Sequence, residues 1–267
     1  MLFNITASHA SPMVTYVPGA LWRETMDGNA TGQSSVETYH STSAIQGEGR
    51  VFFTWFGSGS VWIFGARRPS LGPYQVLLDG QSTKFPGFRD SDTASDDAIL
   101  FHLPSSLPPA VHRLELINTG GDALQPILDL NRIVVQNEAP NVTEITSRDP
   151  RCKWGPTGTG SKGWSNNGTT RQKHNKPCDG DLDAQLHARA SKTHLLNASQ
   201  GSGISVYGTL NPNSSSFAAI VDGWASNTLY PNSQLWLASE DEELLYTTSG
   251  LLPGNHTLVV RNSPPSW

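Results

Sequence analysis

Short apolar runs that alternate with polar residues, and that end in turn residues, recur along the chain. Residues 50–56 and 61–64 are aromatic and β-branched, and Gly57-Ser58-Gly59 separates them. Aromatic and β-branched residues favour extended strands, whereas glycine permits a tight reversal between two strands. The pattern predicts two strands joined as a hairpin.

Further runs have the same character. Residues 74–78 alternate into Asp79-Gly80, a pair typical of a two-residue hairpin turn, and Leu114 and Leu116 fall on one face of a later run. Such runs recur every 8 to 12 residues or so, roughly the spacing found in sandwiches and jelly rolls. Helical periodicity is confined to residues 181–190. The sequence therefore predicts an all-β chain.

An internal repeat organises these runs. Three blocks recur in the same order, and in both copies fourteen residues separate an aromatic-Gly pair from an Asp-Gly pair. The matching residues are Gly65 and Gly208, Asp79 and Asp222, and His112 and His256. Repeated blocks in one order indicate a duplication, so each pair is expected at equivalent positions of two similar units. We interpret the Asp residues as turn residues and the His residues as structural groups that bond nearby backbone carbonyls.

The repeat predicts two tandem β-sandwich jelly-roll domains. The first covers residues 15–136, a linker covers 137–150, and the second domain covers 151–267. The first domain closes with an apolar strand at residues 127–135, which the second copy lacks. We therefore expect an unpaired edge in the second sheet, unless the N-terminal segment or a partner fills it.

Composition narrows the class of protein. The 25 Gly and 18 Pro suit a turn-rich chain, and an apolar content of 36% is enough for folded cores. The net charge is −5, and the 18 basic residues form no cluster, which argues against nucleic acid as a partner. No apolar run reaches the ~20 residues of a membrane span.

The candidate modification sites favour a secreted or extracellular-surface glycoprotein. Seven Asn-x-Ser/Thr sequons are present, at Asn4, Asn29, Asn141, Asn167, Asn197, Asn213 and Asn255. Cys152 and Cys178 are the only cysteines and flank one polar loop. A disulfide between them would stabilise the fold by roughly 3 kcal/mol, and two free thiols are the alternative.

The order of the blocks resembles a known type of ectodomain. An aromatic-Gly pair, an apolar strand into Asp-Gly, and a Leu-Pro pair before His-x-Leu-x-Leu are followed by a closing strand with Leu-Asp. This order is similar to that of tandem jelly-roll, galactose-binding-domain-like ectodomains of secreted or single-span surface proteins of mushroom-forming fungi. The resemblance implies an extracellular setting and, by analogy of fold, binding of carbohydrate or cell-wall polysaccharide.

Aromatic and Arg side chains in loops are the candidates for sugar contact, because aromatic faces stack on pyranose rings and Arg donates in a planar fork. In the first unit these are Arg67 and Arg68, with Tyr39 and His40 nearby; in the second they are Trp164 and Trp224. The loop that matches Arg67 and Arg68 in the second unit carries the Asn213 sequon, whose glycan would obstruct a site. We therefore expect the two units to bind differently, with the site of this region in the first.

Two other functions remain open. A glycoside hydrolase or other polysaccharide-active enzyme needs two carboxylates across a cleft, and the sequence singles out no such pair, so no catalytic residue is assigned. A structural interaction ectodomain without a small ligand needs no site. No cofactor or metal is assigned. Asp179, Asp181 and Asp183 alternate as Ca²⁺ ligands can, but the rest of a calcium loop is missing, so a solvated acidic loop is favoured over a structural calcium site.

Overall fold

A computed structural model gives the architecture of the chain. The structure describes residues 2–26, 38–120, 123–138, 141–145, 187–192, 200–210, 216–226, 228–230 and 240–262. Apart from two single-turn 3-10 helices, Gly19–Leu21 and Ala44–Gln46, the regular structure of these residues is strand. The chain is all-β, as the sequence predicts. Its described part contains no helix that is long and apolar enough to cross a membrane.

The strands fall into an earlier and a later group. The earlier strands are β1 (Leu2–Ser8), β2 (Val14–Val17), β3 (Trp22–Met26), β4 (Thr38–Ser43), β5 (Arg50–Arg67), β6 (Tyr74–Leu78), β7 (Gln81–Phe85), β8 (Ser95–Asn118), β9 (Ile127–Leu130) and β10 (Arg132–Glu138). The later strands are β11 (Asn141–Ile145), β12 (His187–Lys192), β13 (Gln200–Leu210), β14 (Phe217–Val221), β15 (Trp224–Ala225), β16 (Glu240–Asn255) and β17 (Leu258–Asn262).

The earlier strands form a β-sandwich. Seven of them make one sheet in the order β1-β10-β5-β8-β6-β7, with β2 added on β5, and β3-β4-β9 make the second sheet. On β5 every second side chain is buried, as period-two alternation requires, and these side chains meet Trp22, Leu128 and Leu130 of the small sheet in one core. Burying each such side chain contributes about 1.5–3 kcal/mol relative to leaving it in water.

The later strands form a second pair of sheets. The order is β11-β12-β13-β16 in one and β15-β14-β17 in the other. Ile204 and Val206 of β13 share a buried cluster with Phe217 and Val221 of β14. Apolar side chains of two different sheets therefore meet here as well, which is again the arrangement of a sandwich.

Strand pairing repeats in the same register in both groups. Leu78 at the end of β6 pairs with Leu114 of β8, and Val221 at the end of β14 pairs with Leu258 of β17. The Asp-Gly turns that follow are the predicted hairpin turns: Asp79 and Asp222 have φ of 51° and 52°, and the glycines after them have φ of 81° and 83°. Two consecutive positive φ values define the turn type that matches strand twist.

A His-Asp clasp closes each of these turns. His112 Nδ1 lies 2.7 Å from Asp79 Oδ2, and His256 Nδ1 lies 2.6 Å from Asp222 Oδ2. In both units the backbone N–H after the His donates to the other carboxylate oxygen at 2.8 Å. The Nε2 atoms lie near backbone carbonyl oxygens, 2.9 Å from that of Pro108 in the first unit. The structural role predicted for both His residues, and the turn role predicted for both Asp residues, are confirmed.

The hairpin predicted at Gly57-Ser58-Gly59 is wrong, because β5 continues straight through these residues. The glycines are needed for close approach instead of reversal. A Cβ on Gly57 would lie 2.1 Å from Asn137 Oδ1, and one on Gly59, which has φ of 106°, would lie 2.5 Å from the Gln136 carbonyl oxygen. The pairing of β5 with β8 shifts register here, so the residues form bulges and not a turn.

The closing strand predicted at residues 127–135 is two strands. Chain direction changes at Asn131, so that β9 belongs to the small sheet and β10 to the large one. Strands also extend past the predicted domain boundaries: β1 at Leu2–Ser8 pairs with β10, and β11 lies inside the segment predicted as linker.

The prediction of an unpaired edge in the second unit is wrong for the side of β13 that faces β12. There β12 pairs antiparallel with β13, just as β10 pairs with β5, and β11 pairs with β12 as β1 pairs with β10. The segment before β13 thus supplies a neighbouring strand, while the N-terminal strand belongs to the first sheet. The described part of the helical pattern at 181–190, residues 187–190, is strand, because pairing with β13 outweighs local periodicity.

The two sandwiches contact each other through the turn after β1. Ser11 Oγ donates to the Leu244 carbonyl oxygen at 2.6 Å, and Ser8 Oγ donates to Glu243 Oε2. Ala10 belongs to the core of the second sandwich, whereas Leu244 of β16 belongs to the core of the first. Each unit therefore inserts a residue into the other.

Candidate functional site

Five polar side chains meet at one end of the first sandwich. Tyr39 comes from β4, Arg68 directly follows β5, Asp96 lies near the start of β8, Asp129 lies in β9, and Asn131 joins β9 to β10. We call this group the Arg68 cluster. It combines both sheets, because β4 and β9 belong to the small sheet while β5 and β8 belong to the large one.

A glycine, Gly65, allows the two sheets to approach each other closely here. A Cβ on Gly65 would lie 2.1 Å from the Asp129 carbonyl oxygen, so no larger residue fits without displacing β9. This approach lets the Asn131 N–H donate to the Phe64 carbonyl oxygen at 2.9 Å. The aromatic-Gly pair of the repeat thus has a structural reason in the first unit: it seats β9 against the end of β5.

Arg68 is the centre of the cluster. Its Nε donates to Asp96 Oδ1 at 2.7 Å, and its Nη1 donates to Tyr39 Oη at 2.7 Å. Nη1 also lies 3.8 Å from Asp129 Oδ2. Burial lowers the pKa of Arg68, but the hydrogen bonds to Tyr39 and Asp96 outweigh it, so the net direction is upward. The guanidinium is therefore charged and held in one orientation.

The two carboxylates of the cluster differ in environment. The Asp129 side chain is 5% exposed and the Asp96 side chain 51% exposed. Burial raises the pKa of Asp129, and the Ser41 hydroxyl and Arg68 partly offset this effect. Asp96 also lies at the open side of the cluster, where Asn131 Nδ2 donates to its backbone carbonyl oxygen at 2.8 Å.

Three atoms of the cluster have open hydrogen-bonding capacity. Arg68 Nη2, Asp129 Oδ1 and Asn131 Oδ1 are shielded from solvent and have no hydrogen-bond partner within the described part of the chain. A buried polar atom without a partner costs about 1–3 kcal/mol, so such atoms mark a place where water or a ligand completes the bonding. One of the atoms is a donor and two are acceptors. This arrangement can bind a group that both donates and accepts hydrogen bonds.

The structure brings together two of the four residues predicted for the first unit, Arg68 and Tyr39. Tyr39 is 6% exposed, so its ring face is not open for stacking; it lies 4.9 Å from Arg68 Cζ and orients the guanidinium. Arg67 lies apart from the cluster, and its Nη2 donates to the Ile99 carbonyl oxygen at 3.2 Å.

His40 also lies apart from the cluster. Successive side chains of a strand point to opposite faces, so His40 points away from Tyr39. It is 1% exposed, and its ring centroid lies 4.5 Å from that of Tyr16 and 4.9 Å from that of His9. Burial lowers the pKa of His40 to about 4, so the ring is neutral at pH 7. Its place is in a buried aromatic group and not beside Arg68.

The two Trp candidates of the second unit have different outcomes. Trp224 is 84% exposed at the end of the Asp222-Gly223 turn, which agrees with the expectation that it does not join the core. Trp164 lies outside the described residues. In the first unit, Trp22 and Trp55 are buried, at 1% and 3% exposure.

Three members of the cluster, Asp96, Asp129 and Asn131, were missed by reasoning from sequence. Asp129 and Asn131 carry a detectable signal, since together with Arg132 they are the polar residues in the otherwise apolar segment 127–135. A polar residue inside a buried strand needs a partner. Asp96 has no such signal, because it lies in a polar segment that only the pairing of β8 with β5 brings beside Arg68.

Several predicted sites fall outside the described residues. These are Cys152 and Cys178, the sequons at Asn29, Asn167, Asn197 and Asn213, and the acidic residues Asp179, Asp181 and Asp183. Asn4 is exposed on the edge strand β1, and Asn141 and Asn255 lie in β11 and β16. Within the described residues no three His, Cys, Asp or Glu side chains are placed to hold a metal ion.

No protein-family model and no curated protein matches this chain. Among solved structures, a family two carbohydrate esterase from Cellvibrio japonicus shares 14% identity over 52% of this chain and 35% of its own, with a TM-score of 0.35. A CBM36-1 domain of a multidomain xylanase from the hindgut metagenome of Trinervitermes trinervoides shares 10% sequence identity. The match covers 52% of this chain and 100% of that domain, with a TM-score of 0.28. Tandem CBM51 modules of a family 98 glycoside hydrolase from Streptococcus pneumoniae share 11% over 98% of both chains, with a TM-score of 0.29.

These similar structures are carbohydrate-active enzymes and carbohydrate-binding modules. The chain spans only 35% of the length of the esterase. All three TM-scores lie below 0.5.

Proposed function

We propose that this chain is a carbohydrate-binding protein whose saccharide site is the Arg68 cluster. The observation that carries the proposal is the set of three buried atoms with open hydrogen-bonding capacity, Arg68 Nη2, Asp129 Oδ1 and Asn131 Oδ1. A sugar hydroxyl is both a donor and an acceptor, so a pair of neighbouring hydroxyls can satisfy groups of both kinds. Water molecules can also complete these hydrogen bonds one by one, but bound water gives the site no selectivity for a particular solute.

Recognition in this proposal depends on a preorganised guanidinium. Arg68 is held by Tyr39 on one side and Asp96 on the other, so binding loses little side-chain entropy. Its side chain as a whole is 27% exposed, so part of it is open to solvent, although the three open atoms are themselves shielded. The Asp129 and Asn131 oxygens serve in this proposal as acceptors for hydroxyl hydrogens.

The test is glycan binding by two matched variants. A glycan array with the purified chain identifies a saccharide, and calorimetry then compares wild type with Arg68→Ala and Arg67→Ala. We expect Arg68→Ala to weaken binding by more than about 1 kcal/mol, because it removes charge-assisted hydrogen bonds and the support of Tyr39. Arg67→Ala, an adjacent residue of the same type that lies outside the cluster, is expected to change affinity by less than about 0.5 kcal/mol.

Two results would count against this site. Equal effects of the two variants would place recognition elsewhere on the chain, and so would an unchanged affinity in a folded Arg68→Ala variant. Circular dichroism of both variants distinguishes a lost contact from a lost fold. Release of reducing ends from the bound saccharide would identify the alternative function, a polysaccharide-active enzyme.

We further propose that the chain is an extracellular glycoprotein. The seven sequons and the single pair of cysteines support this setting, and the sequon residue Asn4 is exposed on an edge strand. Expression through a eukaryotic secretory pathway should yield a product whose mass falls on treatment with an Asn-glycan amidase. Mass spectrometry without reduction should find Cys152 bonded to Cys178; an unglycosylated product with two free thiols would contradict the proposal.

A further inference from the structure

The charges of the Arg68 cluster bear on which saccharides it can take. Arg68 contributes one positive charge, and two carboxylates face it: Asp96 at 2.7 Å and Asp129 at 3.8 Å. Burial raises the pKa of Asp129, which weakens this excess of negative groups. The one cation of the cluster is therefore already compensated before any ligand arrives.

The neighbouring cation is compensated as well. Arg132 Nη1 and Nη2 donate to the two carboxylate oxygens of Asp97 at 2.6 and 2.8 Å, a bidentate pair. Arg132 also lies over the ring of Phe64, with its Cζ 4.0 Å from the ring centroid. Arg67 extends to the Ile99 carbonyl oxygen and takes no part in the contacts of the cluster. Arg132 is thus neutralised by a carboxylate, whereas Arg67, whose hydrogen bond is to a neutral carbonyl oxygen, stays outside the contacts of the cluster.

The open hydrogen-bonding capacity points the same way. Two of the three open atoms, Asp129 Oδ1 and Asn131 Oδ1, are acceptors, so the matching ligand must supply at least two hydrogen-bond donors. Hydroxyl groups meet this requirement. The carboxylate group of an ionised uronate has acceptors only, so it cannot itself pair with these oxygens, and it would add a like charge beside Asp96 and Asp129.

We infer that the Arg68 cluster selects neutral saccharides with neighbouring hydroxyl groups and rejects uronic acids. This inference rests on the proposed function, since it specifies the ligand class of that same site. A guanidinium by itself suits either vicinal hydroxyls or a uronate carboxylate, and the two carboxylates beside Arg68 favour the hydroxyls. In the fold, Arg68 is a hydrogen-bond donor held in one orientation beside two carboxylates.

The experiment compares neutral and acidic probes on one array. The probes are oligosaccharides of glucose, galactose, mannose and xylose, printed beside oligogalacturonate and glucuronate-bearing xylan oligosaccharides, at neutral pH and low ionic strength. We expect wild type to bind a neutral probe at least tenfold more tightly than any acidic one. Asp96→Asn, which keeps the acceptor oxygen for Arg68 but removes the charge, should increase the affinity for the acidic probes at least threefold. Asp90→Asn, an exposed carboxylate outside the cluster, should not.

The outcomes separate this inference from the proposed function. Tight binding of an acidic probe by wild type that Arg68→Ala abolishes would overturn the selection of neutral sugars while supporting the carbohydrate site. An Asp96→Asn variant with unchanged preference would also overturn the charge argument. Binding of no probe at all would defeat the proposed function itself, and neutral binding that Arg68→Ala leaves intact would defeat the location of the site.

Discussion

At the scale of single residues, glycines decide how closely strands approach one another. Gly57 and Gly65 both lie on β5 at positions where a Cβ would collide with another part of the first unit, at 2.1 Å in each case. At Gly65 the obstacle is the backbone of Asp129, which cannot rotate away as a long side chain can. The geometry of the Arg68 cluster therefore depends on Gly65, which is not itself a member of the cluster.

Gly65→Ala is expected to lower the free energy of unfolding by about 1–3 kcal/mol, as overpacking in a filled core does. It should also weaken saccharide binding, because β9 carries Asp129. Gly19→Ala is the matched control, since no heavy atom lies within 4 Å of a Cβ there. Urea unfolding and calorimetric titration of both variants provide the measurement. Equal stability of the two variants would show that β9 shifts freely and that the close approach is unimportant.

At the scale of elements, the duplicated turns provide an internal comparison. Each Asp-Gly turn is tied to the neighbouring strand by a His, but the two His side chains differ in exposure, 3% for His112 and 13% for His256. The His112 ring also packs against the Trp55 ring at a tilt, with ring centroids 5.3 Å apart, and its Nε2 lies near two carbonyl oxygens. The His-Asp clasp of the first unit is thus more buried than that of the second unit.

His112→Ala is expected to destabilise the chain by about 2–4 kcal/mol, because it leaves a cavity and buried acceptors without a donor. His256→Ala removes the same contacts where water can replace them, so its cost should be about 1 kcal/mol or less. Chemical denaturation with tryptophan fluorescence measures both. A larger loss for His256→Ala than for His112→Ala would show that burial does not set the importance of the clasp.

At the scale of the whole molecule, adjacent leucines of β16 pack into different cores. Leu244 belongs to the core of the first unit and Leu245 to that of the second, and both are 1% exposed. Ala10 makes the reverse insertion, from the first unit into the second core. The two sandwiches therefore share side chains across their junction, and we expect them to unfold together.

Leu244→Ala and Leu245→Ala should each cost about 2–5 kcal/mol, the usual range for truncating a buried leucine. Hydrogen exchange distinguishes them: Leu244→Ala should speed exchange of amides in the first unit, although the mutated strand belongs to the second. Leu245→Ala should act first on the second unit. Unchanged protection of the first unit in Leu244→Ala would contradict the shared core.

A buried group beside the same junction makes stability depend on pH. His40 and His9 face each other, and His9 Nε2 lies 3.7 Å from Glu24 Oε1 and 3.0 Å from the Thr38 hydroxyl. Burial lowers the pKa of His40 from 6.5 to about 4, and burial followed by the neighbouring His40 lowers the pKa of His9. Tyr16 completes the group, and burial, followed by Glu24 and Glu243, raises its pKa.

The directions of these pKa shifts determine how stability changes with pH. Below pH 6.5 the unfolded chain binds protons that the folded chain refuses, so stability falls as pH decreases towards about 4. For His40 the loss is about 3 kcal/mol at roughly 1.4 kcal/mol per pKa unit. The raised pKa of Asp129 acts in the opposite sense, because the folded chain then takes up a proton before the unfolded one. Urea unfolding at about pH 7 and about pH 5 should detect the net loss.

His40→Gln should reduce this dependence, leaving the part that the buried His9 contributes, whereas His102→Gln, at an exposed position on β8, should not reduce it. Both variants are compared with wild type at the same two pH values. A pH dependence that survives His40→Gln undiminished would assign the effect to other groups.

The sequence by itself determined the features that depend on neighbours along the chain. Period-two alternation identified β6 and the buried face of β8, the Asp-Gly pairs identified both turns, and equal spacing identified the equivalent His and Asp residues. The tertiary structure decided the features that depend on distant segments: the continuation of β5 through Gly57 and Gly59, the pairing of β12 with β13, and the meeting of Arg68 with Asp96 and Asp129. Local patterns report local backbone preference, whereas close approach and charge compensation arise between residues far apart in sequence. For this reason the glycines predicted to form a turn are sites of close contact, and the carboxylates that pair with Arg68 were not predicted.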